Sequence, residues 1–444
     1  MARLDQYKAY ANQLVRNPDS AEYLTKQYGI IADQLQNSKQ TFWIAKRAYE
    51  LDPGNFSALF NYGTALNRSG EFEKSLQIYK KCAEVAPLRR RAEAYHHVGI
   101  TYRALGENKK ACDWYQRAYD ICGDPAILKD KALATLAMGK LSEGLQIFEC
   151  RRDIAKKRLA SNPYALKITL QKLPDDALHW QGEDLTGKTI TVYHEEGAGD
   201  FIQFCRFIPR LRERNPAAVF LTGPQPDLLD CVRDNIRVDN VLPLGDFKSD
   251  YTVGSMTLPW RVGADMKDVD GKPYFRAEPF PLPRRGDLNV GLVWRGNPQY
   301  GADVHRSMAF GEFCPLFDMP GVAFHSLQMG APSMEVGWLG LDGFVANLEP
   351  LATSWRETAR LVSALDAVVT VDTAVAHLAG ALGKPVFILA TYHSDWRWNR
   401  NSQKSVWYDS ARVIRQKKQD DWAPCIAEVK RQLKEMSLGR RQAA

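Results

Sequence analysis

The first 150 residues carry a repeat that constrains the fold more than any other feature of the chain. Gly29 stands 24 residues before Pro53, and Gly63 stands 24 residues before Pro87. The step from Gly29 to Gly63 is 34 residues, and the next step, to Gly99, is 36. A unit of about 34 residues holds one pair of helices, and such units bury an apolar core only by stacking. The spacing therefore predicts an α-helical array with a concave groove.

The residues between these markers resemble the tetratricopeptide repeat. Small and aromatic residues recur where that repeat needs them, namely Leu59, Tyr62, Gly63, Leu66, Gly70, Tyr79 and Pro87, then Tyr95, Gly99, Tyr102, Gly106, Ala111, Tyr115 and Ala118. A weaker fourth unit runs through Leu128, Gly139 and Phe148. The resemblance implies that residues 1–155 form about four helix pairs whose groove takes a partner. The alternative is an ordinary helical bundle.

After residue 155 the pattern changes from helices to alternating strands and helices. Residues 156–180 are predicted to be a linker, because prolines and polar residues interrupt the periodicity there. Apolar strands then alternate with helices over residues 181–280 and 286–444, on either side of the proline-rich run YFRAEPFPLPRRGD. This predicts two α/β halves with doubly wound sheets facing across a cleft. Ser354 and Glu357 predict a helix start by a capping box, and residues 422–433 predict a closing amphipathic helix.

Composition and charge exclude several classes of protein. The contents of 45% hydrophobic and 25% charged residues are those of a globular protein. The start MARLDQYKAY has no apolar signal-peptide core, and charges interrupt the most apolar window, so a cytoplasmic protein without a membrane span is expected. The eight cysteines never form C-x-x-C, which indicates reduced thiols. The net charge of +7 is dispersed, so nucleic acid is possible as a partner but not indicated.

The segment VVTVDTAVAHLAGALGKPVFILA predicts an anion site. A strand ends before Asp372 and Thr373, which open a helix. A helix start at the carboxyl end of a parallel strand presents unpaired N–H groups and a partial positive charge. Thr373 adds a hydroxyl, and Ala374 is small enough to let a phosphate approach. The alternative is that Asp372 only caps the helix and His377 only packs.

This segment, with DWRW, WYDSARVIRQ and WQGEDLTGKTITVYHEEGAGDFIQFCRFIP, resembles the heptosyltransferase-like glycosyltransferases of the GT-B fold. The resemblance spans essentially the whole chain, since bacterial proteins of this kind carry tetratricopeptide repeats in front. Glu196 and Ala198 depart from the glutamine and the larger apolar residue expected there, and Met329 stands where a basic residue often occurs. These departures bear on nucleotide and sugar preference. The resemblance implies transfer from a nucleotide-sugar to an acceptor hydroxyl, with inversion.

The resemblance also implies a general base in the segment HEEGAGD. The family's Gly-Asp aspartate corresponds to Asp200, which would take the proton of the acceptor hydroxyl. Glu195 and Glu196 are reserve candidates and His194 is a weaker one, while Gly199 lets the acceptor approach the backbone. Base catalysis of this kind supplies roughly 10²–10⁴-fold. A helix start predicts a lowered pKa for Asp200, and the alternative role is a structural N-cap.

Further candidates for donor binding lie in the C-terminal half. Arg306, the preferred basic residue, and Arg295 are expected to neutralise a departing diphosphate. Asn297 belongs to the turn beside them, and Gln328 follows the next strand, where it could contact the nucleoside. Trp396 and Trp398 are expected either to stack on the sugar or base or to pack against the closing helix.

No metal ion or cofactor is expected beside the nucleotide-sugar. The D-x-D of Asp268 and Asp270 lies in a hydrophilic loop that suits a turn, and no G-x-G-x-x-G follows the first strand of either half. The sequence thus predicts a metal-independent glycosyltransferase with a tetratricopeptide array that recruits a protein, glycan or other macromolecular acceptor. The competing hypothesis is a non-catalytic tetratricopeptide adaptor with a degenerate transferase domain.

Overall fold

The computed structural model describes residues 19–35, 39–161, 178–243, 248–298, 303–393, 395–398, 400 and 402–443. The chain divides into two compact units, of which the first comprises Met1–Met138 and Cys150–Ile154 and the second Gly139–Glu149 and Ala155–Ala444. Within the described residues, no helix is long and apolar enough to cross a membrane. Each unit is built around its own core.

The first unit is an array of antiparallel helices whose pairs follow the predicted repeat. Its helices are α1 (Ala21–Leu35), α2 (Lys39–Leu51), α3 (Phe56–Arg68), α4 (Phe72–Val85), α5 (Leu88–Ala104), α6 (Asn108–Cys122), α7 (Pro125–Ala137) and the first turn of α9 (Cys150–Ser161). Asn55 caps α3 by accepting hydrogen bonds from two backbone N–H groups, and Asp124 caps α7 by accepting from one.

The paired helices can approach closely because a glycine of one helix packs against a tyrosine ring of the other. A Cβ at Gly63 would lie 2.9 Å from the ring of Tyr79, and a Cβ at Gly99 would lie 2.6 Å from the ring of Tyr115. Both rings are fully buried. The spacing of small and aromatic residues therefore sets the distance between helices, as the repeat pattern predicts.

Side chains one repeat apart join successive helix pairs. Asn67 donates from its amide to the hydroxyl of Thr101 at 3.0 Å, and these residues are 34 positions apart. The Nε2 atom of His96 lies 2.8 Å from a carboxylate oxygen of Asp130, again 34 positions away. The repeat length seen in the sequence is thus also the spacing of polar contacts between repeats.

The second unit contains two parallel sheets. Its strands are β1 (Leu178–His179), β2 (Thr189–Tyr193), β3 (Ala218–Thr222), β4 (Asn240–Leu242), β5 (Tyr251–Gly254), β6 (Leu288–Val293), β7 (Val322–Ser326), β8 (Val345–Asn347), β9 (Ala367–Val371), β10 (Val386–Ala390) and β11 (Ala411–Arg415). One sheet has the order β1-β5-β2-β3-β4 and the other β11-β10-β9-β6-β7-β8, and every pairing between these strands is parallel. Strands β6, β9 and β10 are buried along their whole length, as expected for sheets covered on both faces.

Short helices connect the strands. They are α10 (Ala198–Phe204), α11 (Ile208–Arg212), α12 (Pro226–Arg233), α13 (Leu258–Arg261), α14 (Asp303–Arg306), α15 (Glu335–Trp338), α16 (Trp355–Ala364) and α17 (Ala374–Ala381). The longer closing helix α18 (Ala423–Ala443) follows the last strand. Ser354 caps α16 by accepting from the N–H of Glu357 at 3.2 Å, as the capping box predicts. Ile426, Val429 and Leu433 of the closing helix, with Trp422 just before it, are buried in the core of the second sheet.

One helix of the predicted repeat region groups with the second unit. Helix α8 (Leu141–Phe148) has its first N–H groups, at Leu141 and Ser142, held by the carboxylate of Asp265 at 3.1 and 3.3 Å. The division within α9 falls after Ile154. Of the predicted linker, residues 162–177 lie outside the described residues, and β1 already pairs with β5.

Candidate functional site

The loop after β2 turns sharply into α10. Glu196 adopts a φ of +53°, a left-handed conformation that is uncommon for residues other than glycine. Gly197 then caps α10, and the carboxylate of Asp200 accepts the N–H of Gly197 at 2.8 Å. Asp200 thus closes the first turn from the third helical position, and the N-cap role considered as its alternative belongs to Gly197 instead.

The carboxylates of this loop point in different directions. Glu195 is buried and accepts the N–H of Met256 at 3.1 Å, beside Gly254 at the end of β5. Glu196 is exposed. His194 is buried against the ring of Phe201, and burial lowers the pKa of His194 to about 4, so its imidazole is neutral. Asp200 accepts a hydrogen bond from Arg397, which lies in the loop after β10 of the second sheet.

The segment predicted to bind an anion lies at the start of α17. Thr373 is the N-cap, and its hydroxyl lies 2.9 Å from that of Thr370. Because Thr370 donates its only hydroxyl proton to the carbonyl of Val371, Thr373 is the donor between the two hydroxyls. Ala374 follows with its side chain partly exposed.

His377 is buried one turn along α17. Its Nδ1 lies 3.0 Å from the hydroxyl of Tyr408, and its ring is tilted against Trp398 at 5.3 Å. Burial, with the positive charge of Arg397, lowers the pKa of His377 well below its ordinary value. In this arrangement His377 is neutral and packs against Tyr408 and Trp398. The N-cap that the alternative prediction assigned to Asp372 is Thr373.

Helices α10 and α17 are in direct contact. A Cβ at Gly199 would lie 2.7 Å from Cδ2 of His377 and 3.2 Å from Cα of Ala374. Gly199 therefore lets the backbone of the GAGD segment approach the start of α17. The segment predicted to face the acceptor and the segment predicted to hold the phosphates thus lie side by side.

The sequence interpretation missed Arg397, which bonds two residues of α10. Its guanidinium donates to Asp200, to the amide oxygen of Gln203 at 2.6 Å and to Asp395 at 2.8 Å. The residue is only 8% exposed. A signal was present, because an arginine between two tryptophans in DWRW is a charge placed in an apolar segment.

The ionisation of the two aspartates follows from burial. Burial raises the pKa of Asp200, and Arg397 together with the Gly197 N–H opposes that rise. This direction is opposite to the predicted lowering, because desolvation outweighs the helix start. Burial and the neighbouring Asp395 also raise the pKa of Asp372, against the pull of Arg306 and Arg397.

The basic and amide candidates of the second sheet separate into two groups. Arg306 reaches the start of α17, since its Nη1 donates to the backbone oxygen of Asp372 at 2.9 Å while its Nε bonds Asp303 at 2.8 Å. Arg295 forms an ion pair with Glu335 at 2.7 Å instead, and Asn297 is exposed.

Gln328 is engaged with the backbone. Its amide oxygen accepts the N–H groups of Trp294 and Arg295 at 3.0 and 2.9 Å, and its NH₂ donates to the carbonyls of Arg295 and Met329 at 3.3 Å each. The side chain is buried. Gln328 therefore fixes the loop after β6 and has its amide occupied in doing so.

The two candidate tryptophans have different surroundings. Trp398 is buried against His377. Trp396 is partly exposed and meets Trp407 edge-on at 5.8 Å. Of the two, Trp396 retains a surface to which a ligand could gain access.

The D-x-D residues are used in local structure. Asp268 accepts the N–H of Asp265 at 2.8 Å and pairs with Arg210, and Asp270 accepts the N–H of Lys272 at 3.1 Å. Across the parts of the chain that the structure describes, no group of three or more His, Cys, Asp or Glu side chains is arranged to hold a metal ion.

Two family models match parts of the chain, one in each of the two units. Residues 54–124 match the tetratricopeptide repeat model, and residues 340–432, which span β8 to the first half of the closing helix, match the model of glycosyltransferase family 9 (heptosyltransferase). The chain thus carries a region that matches the tetratricopeptide repeat, followed by a segment that matches part of the family 9 glycosyltransferases. The match includes the start of α17 and Arg397.

Among individual proteins, the chain is similar to protein FlbA of Caulobacter vibrioides. The two are 24% identical over 470 positions, which cover 97% of this chain and 75% of FlbA. Solved structures similar to it include MamA, at 21% identity with a TM-score of 0.31, over 34% of this chain and 88% of MamA. Another is TTC0263 of Thermus thermophilus, a tetratricopeptide protein, at 22% identity with a TM-score of 0.28, over 37% of this chain and 87% of that protein.

Proposed function

We propose that this protein is a GT-B glycosyltransferase that moves a sugar from a nucleotide-sugar to a hydroxyl of a macromolecular acceptor. In this proposal the donor diphosphate binds at the start of α17, Asp200 removes the proton of the acceptor hydroxyl, and the sugar is transferred with inversion. The tetratricopeptide groove recruits the acceptor. No metal ion takes part, and the proposed location is the cytoplasm.

The observation that carries the proposal is the contact of α10 with α17 at Gly199. It brings a carboxylate that can accept a proton to the same place as a helix start that can bind an anion. These two groups come from distant segments of the chain, after β2 and after β9. A reaction in which one substrate hydroxyl attacks a phosphate-activated sugar needs both of them within one substrate's length.

The charges near α17 indicate what a donor would meet. Arg306 donates to the Asp372 carbonyl and thus stands at the helix start, with its own charge partly balanced by Asp303. A diphosphate there would gain the guanidinium of Arg306, the N–H groups of the first turn and the Thr373 hydroxyl after rotation. Asp372 opposes anion binding when ionised, so we expect tighter nucleotide binding at mildly acidic pH, where its raised pKa favours the neutral form.

Nucleotide binding and sugar cleavage test the proposal in sequence. Nucleoside diphosphates with each of the common bases are screened by the melting temperature of the protein, and at least one is expected to raise that of the wild type. Thr373→Arg is expected to abolish this rise, because the new side chain fills the helix start. A panel of nucleotide-sugars is then assayed for slow hydrolysis. Asp200→Asn is expected to retain nucleotide binding and to lose about 10²–10⁴-fold in turnover.

A matched control is Asp318→Asn, which removes a carboxylate that pairs with Lys430 on the surface. It should bind and turn over like the wild type. If none of the nucleotides binds the wild type, the transferase proposal is wrong and the tetratricopeptide adaptor becomes the better description. If one does bind, the acceptor is sought by intact-mass analysis of co-purifying proteins for a sugar increment.

A further inference from the structure

Arg397 is buried between a helix that follows a strand of the first sheet and a loop that follows a strand of the second. Arginine side chains are seldom fully buried unless they are paired. Of its three hydrogen-bond partners, Asp200 and Gln203 lie on α10, after β2 of one sheet, and Asp395 lies beside it in the loop after β10. Each of its three nitrogens has its own acceptor, so the guanidinium plane is fixed from three directions.

The carboxylate of Asp200 accepts two hydrogen bonds within the protein and has capacity for more. One carboxylate oxygen accepts from Arg397 and the other from the Gly197 N–H, whereas a carboxylate offers about four acceptor positions. The Asp200 side chain is 23% exposed, but that of Arg397 is only 9% exposed. The remaining acceptor positions are therefore available to a hydroxyl group without any break in the existing contacts.

The charges that face Asp200 act in opposite directions. Arg397 and the Gly197 N–H favour its anion, while burial, Glu196 and Asp395 disfavour it. His377 of the facing helix is neutral and adds no positive charge. The carboxyl group of Asp372 acts on Arg397. Arg397 is thus the one cation with a direct contact to Asp200 among the described residues.

We propose that Arg397 is a positioning residue, which orients Asp200 toward the start of α17 and supplies the counter-charge for its anionic form. Gln203 and Asp395 hold the guanidinium in place for this task. A base that is oriented by a third group is the arrangement that active nucleophile and base pairs use in general. The inference rests on the proposed function, because it assigns Arg397 a role in the same proton transfer.

The test is the pH profile of kcat/KM for nucleotide-sugar cleavage by the full chain, which reports the ionisation of the base in the free enzyme. Arg397→Gln should move the acid limb upward by roughly one to three pH units, because an opposite charge at hydrogen-bond distance stabilises a carboxylate by about that much. Asp395→Asn should move it downward, since Arg397 then loses a competing partner and Asp200 loses a like charge. Arg397→Lys should keep the limb near the wild-type position while it lowers kcat, because lysine cannot hold three acceptors in one plane.

Damage to packing would not move the acid limb upward in Arg397→Gln and downward in Asp395→Asn. The matched control is Arg356→Gln, which breaks another arginine–aspartate pair between the two halves of the unit, with Asp234. It should leave the acid limb unchanged. Should Arg397→Gln fail to fold, Arg397→Lys decides the matter, because it keeps the charge and removes the planar geometry: an unchanged kcat would show that Arg397 has no positioning role.

The two proposals fail in different ways. If the wild type cleaves nucleotide-sugars and the acid limb stays in place in both Arg397→Gln and Asp395→Asn, Arg397 has no positioning role and the proposed function stands. The same conclusion follows if Asp395→Asn moves the limb upward. If the wild type binds nucleotides but cleaves none of the nucleotide-sugars, both proposals are wrong.

Discussion

Replacing Gly199 by alanine would test how closely the start of α10 packs on α17. The new Cβ would lie 2.7 Å from Cδ2 of His377 and 3.2 Å from Cα of Ala374. Ordinary carbon contacts lie at about 3.5–4.0 Å, so one partner must move by roughly 1 Å. His377 cannot swing away without losing its contact to the Tyr408 hydroxyl at 3.0 Å, and Ala374 offers only backbone.

The free energies involved can be compared directly. Inserting a methyl group into a packed contact costs about 1–3 kcal/mol. Alanine in a helix gains up to about 1 kcal/mol over glycine, and less near a helix start. We therefore expect Gly199→Ala to lower the free energy of unfolding by about 1–2 kcal/mol and to weaken the contact between α10 and α17.

Urea unfolding followed by tryptophan fluorescence would measure this, since Trp398 packs beside His377. The matched control is Gly439→Ala on α18, where a Cβ would meet nothing within 4 Å. That variant should be unchanged or about 0.5–1 kcal/mol more stable. If Gly199→Ala is as stable as the wild type, the close approach of the two helices is not a packed contact, and the reasoning that places the site there is wrong.

Three further outcomes are expected. Gly99→Ala should destabilise the first unit by about 1–3 kcal/mol, because its Cβ would lie 2.6 Å from the ring of Tyr115, whereas Gly29→Ala, with nothing within 4 Å, should not; thermal unfolding compares them. Asp265→Ala should cost about 0.5–2 kcal/mol in urea unfolding, because the start of α8 loses its acceptor. Burial lowers the pKa of His97 from the ordinary 6.5 to about 4. The folded state should therefore lose up to about 3 kcal/mol as pH falls through this window, since the unfolded chain binds that proton more readily, and His97→Gln should lose less when unfolding is followed against pH.

Local features of the chain could be predicted well. The 34-residue spacing of glycines predicted the helical array, and residues 54–124 match the tetratricopeptide model. The strand predicted at Ala367–Val371 and the helix after Asp372 and Thr373 both occur where expected. Such features depend on residues a few positions apart, and periodicity reports these directly.

The direction of individual side chains could not be predicted. Glu195, Glu196 and Asp200 lie close together in the sequence, yet one turns to β5, one to solvent and one to Arg397. Gln328, expected to contact a nucleoside, is occupied by the backbone of the loop after β6. The raised pKa of Asp200 likewise depends on how deeply α10 is covered, which its position at a helix start does not reveal.

The sequence by itself determined the kinds of element in this protein and their order, because helices and strands are specified by neighbouring residues. Only the tertiary structure decided that α8 groups with the sheets and that Arg397 meets Asp200 across 197 positions of chain. A buried charge takes whichever partner the packing brings within hydrogen-bond distance, and that distance is a property of the whole fold.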